Sequence, residues 1–520
     1  MEIGTDQTLH DWLGHHAKAR PDAIALESAG TPVSYGELAS DVARLRGGLT
    51  RLGVGRGDVV GAQLPNTRDF LTCFLAVTGV GAIFQTLHMP YRWKELREVL
   101  SDAGAKAVIV THSDMDSRAE ELHAERHAIP TLQQIICTQA GVDGTVALAE
   151  LMAGALAETA DLTAADPFLL LYTSGTTSKP KGVPHLYGRF LNNALVSAGE
   201  MGIDATSRVM SLAPMTHLYG LFTLHMALSA GATQVLAPAF NPATVLDKLR
   251  AGRPSHVYAA PAHFAGLVAA NALEAEALES IEILCLSGAA VPRALAEALQ
   301  AKIPQGAVVQ LWGMSELQAG SYGRASDPLS KRVSTCGRAS PRTELRVVDE
   351  GGALLPPGTE GILQVRGPSV FEGYLNRPEE SLAAFGSDGW FSTGDLAVID
   401  ADGFLTHAGR TKEVINRGGV KYNPVEVEEL VSALPGVLQC VVVPVADALL
   451  GERGCLCAVL APKALLTLDD VTAHLSAAGM AKYKWPEELA IFDKFPMTPT
   501  QKVMRAELRT AIENRKDKDQ

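Results

Sequence analysis

Three segments of this chain share one grammar: a short apolar run, a loop of small residues, then a helix or a turn. In the first, Phe168 to Tyr172 reads as a buried strand that empties into Thr173-Ser174-Gly175-Thr176-Thr177-Ser178 and a Lys179-Pro180-Lys181-Gly182 turn. In the second, Ile281 to Leu286 gives way to Ser287-Gly288-Ala289-Ala290, and Pro292 starts a helix carrying Leu295 and Leu299. In the third, Val308-Val309-Gln310-Leu311 runs into Trp312-Gly313-Met314-Ser315-Glu316. Continuous apolar strands alternating with helices imply parallel sheets covered by helices, and such sheets collect their loops at the strands' carboxyl ends, where ligands bind.

The first loop suits the wrapping of a polyphosphate. Gly175 lets the backbone approach closely, the hydroxyls and amides donate to phosphate oxygens, and Lys179 and Lys181 add positive charge. It is not the common phosphate loop, because the G-x-x-x-x-G-K-[ST] spacing is absent.

The first 160 or so residues alternate strands and helices. Ala23 to Glu27 reads as a strand, Ser34 and Glu37 form a capping box, Leu38, Val42, Leu45, Leu49 and Leu52 recur at helical spacing, and Gly53 ends the helix. Gly53-x-Gly55-x-Gly57 follows a helix and precedes the strand Val59 to Leu64, the wrong order for a dinucleotide fingerprint, so it reads as a turn. Phe70 to Tyr91 carries no charge, but Gly79, Gly81, threonines, Gln85 and His88 interrupt it, which predicts a buried helix and strand, not a membrane span. From about Thr343 short strands with Asp/Gly turns predict antiparallel structure, including Glu344 to Val348, Gly361 to Val365, and a hairpin of Leu396 to Ile399 with Phe404 to His407. After Gly409-Arg410-Thr411-Lys412 alternation resumes in a compact unit, which places the main boundary between 1–410 and 411–520. The last eight residues read as a solvated tail.

At 520 residues there is ample chain for a large core, and a net charge of −13 argues against nucleic acid or an anionic membrane as partner. Seven dispersed cysteines with no C-x-x-C argue for a reducing compartment and against a zinc site; Cys455 and Cys457 are expected on one face of a strand. Met1 to Asp6 lack a basic start and apolar core, so a cytoplasmic protein is expected.

Tyr172-Thr173-Ser174-Gly175-Thr176-Thr177-x-x-Pro180-Lys181-Gly182 closely resembles the phosphate loop of the adenylate-forming superfamily, which includes acyl-CoA synthetases, adenylation domains of nonribosomal peptide synthesis and firefly luciferase. The resemblance extends at intervals from about Thr8 to Arg509, with the motifs in the family's order. Trp312-Gly313-Met314-Ser315-Glu316 resembles Tyr-Gly-x-Thr-Glu, which implies an aromatic ring near adenine and magnesium held by Glu316 with Thr177. Gly288-Ala289-Ala290 resembles the loop lining the adenine pocket. Ser392-Thr393-Gly394-Asp395 resembles the ribose-binding motif, so Asp395 would accept from both vicinal hydroxyls, with Arg410 of Gly-Arg-Thr-Lys as a second ribose or phosphate contact. Lys412 stands at the family's hinge, and Gly418-Gly419 resembles the pair lining the thiol cofactor's tunnel. Pro496-Met497-Thr498-Pro499-Thr500-Gln501-Lys502 resembles Pro-x-Thr-x-x-Gly-Lys, making Lys502 the catalytic lysine. Pro214-Met215-Thr216-His217 resembles the aromatic-His stretch walling the acid pocket, with Thr216 in place of the aromatic and His217 as a catalytic candidate. Gln501 and Ser178 replace glycines of the family pattern.

The resemblance implies an α/β protein: a large N-terminal domain of βα sheets with a small β-rich subdomain, and a small, mobile α+β C-terminal domain. It implies ATP, Mg2+ and CoA as ligands and a small carboxylic acid as substrate. The acceptor is CoA or the phosphopantetheine thiol of a carrier protein; both end in the same arm, so the glycine pair does not separate them. An amine or other nucleophile in place of the thiol stays open as a further alternative, whereas a nucleotide-binding regulator with a dead site is opposed by the intact set Glu316, Asp395, Arg410 and Lys502. His217, Leu218, Tyr219, Phe222, Gly288, Gly313 and Met314 are the expected pocket wall, and none is a carboxylate. An aromatic or alicyclic acid is expected first and a short or medium fatty acid second.

Overall fold

The computed structural model describes residues 7–28, 30–112, 118–173, 180–238, 244–447, 449–498 and 502–519. Among them four sheets organise the chain. The first has seven strands in the order Val146–Ala147, Gln134–Cys137, Ala107–Val110, Val59–Gln63, Ile83–Thr86, Pro167–Thr173 and Lys181–Leu186, all parallel neighbours except the last pair. The second has nine, with the parallel strands Ala307–Met314, Ile283–Leu286, His256–Ala259, Arg208–Ser211, Thr233–Leu236 and Ile24–Ser28 at its heart. The third is a four-stranded antiparallel sheet of Glu344–Val348, Gly361–Arg366, Phe391–Ile399 and Leu405–Arg410.

Local signals account for much of this. Ser34 and Glu37 make the reciprocal cap, the Glu37 carboxylate accepting the Ser34 N–H at 2.8 Å, and the helix Tyr35–Arg51 follows. Gly53 sits just past its end at φ +78°, where a side chain would be strained. The charge-free run folds as the helix Arg68–Gly79 and the strand Ile83–Thr86. No helix among the described residues is long and apolar enough to cross a membrane.

The fourth sheet pairs Val420–Tyr422, Ile415–Arg417, Gly451–Leu460 and Val437–Asp447, with Glu488–Ile491 parallel to Gly451–Leu460. Its two long strands alternate cleanly. Val441, Val443, Cys455 and Cys457 face one cluster with Phe495 and Leu508, while Val442 and Leu456 face another with Ile415 and Val471. The sheet therefore buries both faces within residues that follow Arg410. Among the described residues no cluster of His, Cys, Asp or Glu could hold a metal ion on its own, and Cys455 and Cys457 are simply core.

Three expectations are corrected. Lys181 and Gly182 do not form a turn: they open the strand Lys181–Leu186, with Thr173 opposite Lys181, so the first loop joins two antiparallel strands. Trp312-Gly313-Met314 is not a loop either; the strand runs Ala307–Met314 and turns into Gln318–Tyr322. A Cβ on Gly313 would lie 2.1 Å from the Gln318 carbonyl oxygen, and Gln318 itself takes φ +67°, so a tight hairpin takes the place of the expected small-residue loop. Of the three segments only Ile283–Leu286 leads to a helix, Arg293–Lys302, and the first loop lies on a different sheet from the other two. The tail expected at the carboxyl end is helical through Asp519, within Arg505–Asp519, because Leu508 and Ile512 anchor that helix on the fourth sheet.

Candidate active site

Asp395 and Arg410 are directly opposed in the antiparallel pair of Phe391–Ile399 and Leu405–Arg410. Gly394 at φ +76° and the Thr393 hydroxyl, which accepts the Asp395 N–H at 3.1 Å, set the backbone that presents the carboxylate. Asp395 is 3% exposed. Its Oδ1 accepts Arg410 Nε–H at 3.0 Å and its Oδ2 accepts the Trp312 indole N–H at 2.8 Å, with His407 Nε2 3.7 Å from Oδ2. Burial alone would raise its pKa, but His407, Arg410 and Trp312 outweigh it and hold the carboxyl down to about 2. A second buried carboxylate, Glu316, follows the end of Trp312's strand. Its Oε1 accepts the Tyr374 hydroxyl at 2.9 Å, and burial pushes its pKa up. The face of the Tyr374 ring lies 4.7 Å from Lys181 Nζ, and Lys181 is ion-paired with Glu380.

His217 caps the helix Leu218–Ala230, its Nδ1 accepting the Tyr219 N–H at 3.2 Å. That bond assigns the proton of the neutral ring to Nε2. The half-buried ring stacks 6.3 Å from His88, which contacts the Thr216 hydroxyl through Nδ1 at 3.3 Å. Burial, then Lys502, then His88 lower the His217 pKa well below its usual value, and burial brings His88 to about 4.

Lys502 reaches this site from the fourth-sheet unit. Met497 and Val503 pair across a short hairpin, the Lys502 carbonyl accepts the Thr498 N–H at 2.7 Å, and the Lys502 N–H donates to the Thr498 hydroxyl at 3.0 Å. Burial and then Arg410 lower the lysine's pKa, while Asp395, Glu316 and Glu413 pull it up. Three residues on, Arg505 forks onto Glu428 at 2.7 and 2.8 Å, donates to the Val442 carbonyl at 2.9 Å, and lies 3.3 Å from Glu413.

The fold thus gathers Trp312, Glu316, Asp395, Arg410, His217 and Lys502, with Lys181 joined through Tyr374. Ser174, Gly175, Thr176 and Thr177 lie outside the described residues; Thr173 ends its strand half-buried beside them. Gly288 turns at φ +89° with open space where a Cβ would be, and Ala289 and Ala290 are exposed after the strand Ile283–Leu286. Ser315 is half-buried in the hairpin turn. Gly418 and Gly419 are exposed at φ +59° and +88°, between paired Arg417 and Val420, and so meet the demand of a two-residue hairpin turn for left-handed backbone. Tyr374 and Glu380 carried no sequence signal, since each reaches the site from a distant segment; His407 and Glu413 stand three residues either side of Arg410 but outside its Gly-Arg-Thr-Lys motif.

Glu316 fits a magnesium ion: it is a buried carboxylate with one hydrogen bond, and a hard oxygen donor in a place where a cation would offset its burial.

Residues 13–375 match the family described as AMP-binding enzyme, and residues 426–502 match the AMP-binding enzyme C-terminal domain. The chain belongs to the AMP-binding enzyme family. This AMP-binding enzyme is 32% identical over 508 residues to a feruloyl-CoA synthase of an Amycolatopsis species, which covers 97% of this chain and 99% of that one. It is 30% identical over 528 residues to a medium-chain fatty-acid–CoA ligase of Escherichia coli K12, covering 99% and 92%. The crystal structure of ATP-bound MatB from Rhodopseudomonas palustris superposes with a TM-score of 0.88 at 27% identity, covering 97% of this chain and 99% of that one.

Proposed function

We propose that this AMP-binding enzyme is an ATP-dependent carboxylate–CoA ligase. A carboxylate oxygen attacks the α-phosphorus of ATP and the bond to pyrophosphate breaks, giving an acyl-adenylate. The CoA sulfur then attacks the acyl carbon and AMP leaves. The observation that carries the reading is Lys502, brought from the fourth-sheet unit into the electrostatic field of Asp395, Arg410, Glu316 and His217.

In this reading Asp395 takes the ribose hydroxyls and Arg410 the ribose or a phosphate. Lys502 steadies the negative charge that gathers between the acid's carboxylate and the α-phosphate. His217, neutral and protonated at Nε2, donates to the acid's carboxylate oxygen. Thr173, Ser174, Gly175, Thr176, Thr177 and Lys181 cradle the phosphates; Gly288, Ala289, Ala290, Gly313 and Ser315 line the adenine pocket with Trp312. Glu316 and Thr177 would hold Mg2+, which when bound neutralises phosphate charge. The boundary falls between 1–410 and 411–520, with Lys412 as the hinge about which the second unit turns once the adenylate has formed. Gly418 and Gly419 then flank the path of the thiol arm. The protein works in the cytoplasm.

The acid is a compact apolar carboxylate, aromatic or alicyclic first and short or medium fatty second. The pocket wall offers no carboxylate to an α-ammonium group, and an unpaired buried ammonium costs several kcal/mol. The feruloyl- and medium-chain-directed relatives support this range. The test is kcat/KM for benzoate, cyclohexanecarboxylate, hexanoate, palmitate and phenylalanine, with pyrophosphate release as readout. Benzoate and cyclohexanecarboxylate are expected to lead, with hexanoate behind them; preference for phenylalanine or palmitate sinks the assignment. AMP release with free CoA distinguishes CoA from a carrier protein as acceptor.

A further inference from the structure

A carboxylate facing an arginine ordinarily takes both arms of the guanidinium in a two-bond fork. Asp395 does not. Arg410 donates only Nε–H, to Oδ1, and Oδ2 is held by the Trp312 indole N–H at 2.8 Å. Trp312 is itself immobilised: it is 6% exposed, lies in the strand Ala307–Met314, and packs flush on Gly320 of the next strand. A Cβ on Gly320 would come 2.2 Å from the indole ring carbon Cζ3, so the missing side chain is what makes room for the second ring. His407 Nε2, at 3.7 Å from Oδ2, is beyond hydrogen-bond length.

An ionised carboxylate has about four acceptor positions, two on each oxygen. Arg410 fills one on Oδ1 and Trp312 one on Oδ2, which leaves one free position on each oxygen. That remainder is the complement of two vicinal hydroxyls, one hydrogen bond to each. We propose that Trp312 is a positioning residue for nucleotide selection: its indole N–H withholds Oδ2 from Arg410 and so keeps Asp395 set to read both ribose hydroxyls. Without the N–H, Oδ2 turns to the terminal guanidinium N–H groups of Arg410, which donate to nothing among the described residues, the fork closes, and the carboxylate no longer presents one acceptor to each hydroxyl. The inference rests on the reading of Asp395 as the ribose contact.

The test uses the full-length protein with Trp312→Phe, and with Trp312 replaced by benzothienylalanine, which keeps both rings and loses only the N–H. Pyrophosphate release is measured with ATP and with 2′-deoxy-ATP, and Asp395→Asn is run alongside. A hydrogen bond to a charged group is worth enough that the KM ratio of 2′-deoxy-ATP to ATP should fall about five- to tenfold in both Trp312 variants. Asp395→Asn should compress the same ratio, and adding it to a Trp312 variant should compress it no further. If Asp395→Asn compresses the ratio and the benzothienyl protein keeps the parent value, Trp312 does not position Asp395 and the inference fails. An equal loss with both nucleotides means a merely structural tryptophan and also overturns it. If Asp395→Asn leaves the ratio unchanged, the ribose reading fails and the inference with it. Should Trp312→Phe not fold, the isosteric benzothienyl protein decides alone.

Discussion

The clamp behind Lys502 invites a quantitative test. Arg505 holds the Glu428 carboxylate with two hydrogen bonds, and together they satisfy the outward backbone of Val442: Glu428 Oε1 accepts the Val442 N–H at 2.7 Å and Arg505 donates to the Val442 carbonyl at 2.9 Å. Burial disfavours the guanidinium charge, yet Glu428 and Glu413 more than offset it and raise the Arg505 pKa. Glu428 is 9% exposed, so Arg505→Met strands a buried carboxylate and an unpaired carbonyl, a loss of about 3–5 kcal/mol. Adding Glu428→Gln removes the stranded charge while the amide oxygen still accepts from Val442. The double variant should therefore be more stable than Arg505→Met alone, by about 2 kcal/mol. Urea denaturation followed by circular dichroism gives the stabilities. Because the Lys502 hairpin is tied down through Arg505, Arg505→Met should also slow adenylation under conditions where the far-ultraviolet spectrum is still native. A loss below about 1 kcal/mol for Arg505→Met, or a double variant less stable than the single, refutes the reasoning, since neither is compatible with a stranded buried charge.

Three further outcomes are expected. Lys502→Ala should lower adenylation by about 10²–10³-fold while largely sparing thioester formation from supplied acyl-adenylate; equal loss in both half-reactions argues against a lysine that serves only the first step. Lys412→Pro should do the reverse, because proline locks φ at the proposed hinge, and normal CoA transfer would move the hinge elsewhere. His88 should make the protein acid-sensitive. Its folded pKa of about 4 lies below the ordinary 6.5, so between those values the unfolded chain binds more protons and stability falls as pH falls, by up to about 3 kcal/mol near pH 4. His88→Gln should make the fall of melting temperature between pH 6.5 and 4.5 shallower by one histidine's share, since His10, His16, His185, His217, His225, His256 and His263 are shifted the same way; an unchanged slope would mean the ring is not held neutral.

The sequence by itself determined whatever depends on neighbours along the chain. Ser34 and Glu37 cap their helix because the partners are one turn apart. The apolar runs became buried strands, the glycine-rich 53–57 stretch became a turn, and the alternation of Val441, Val442 and Val443 across two cores follows from the two-residue period of a strand. The motif residues Glu316, Asp395, Arg410 and Lys502 were legible because each stands in a short pattern. The tertiary structure alone decided which of these groups meet. Whether the residues after Leu311 continue a strand or leave it as a loop depended on Gln318 coming back against Gly313, and no local pattern announces that approach. Tyr374 finds Glu316 across 58 residues and Trp312 finds Asp395 across 83. Such partnerships form where buried polar groups, brought together by the packing of separate sheets, must find donors or acceptors away from water, and that requirement exists only once the sheets have packed.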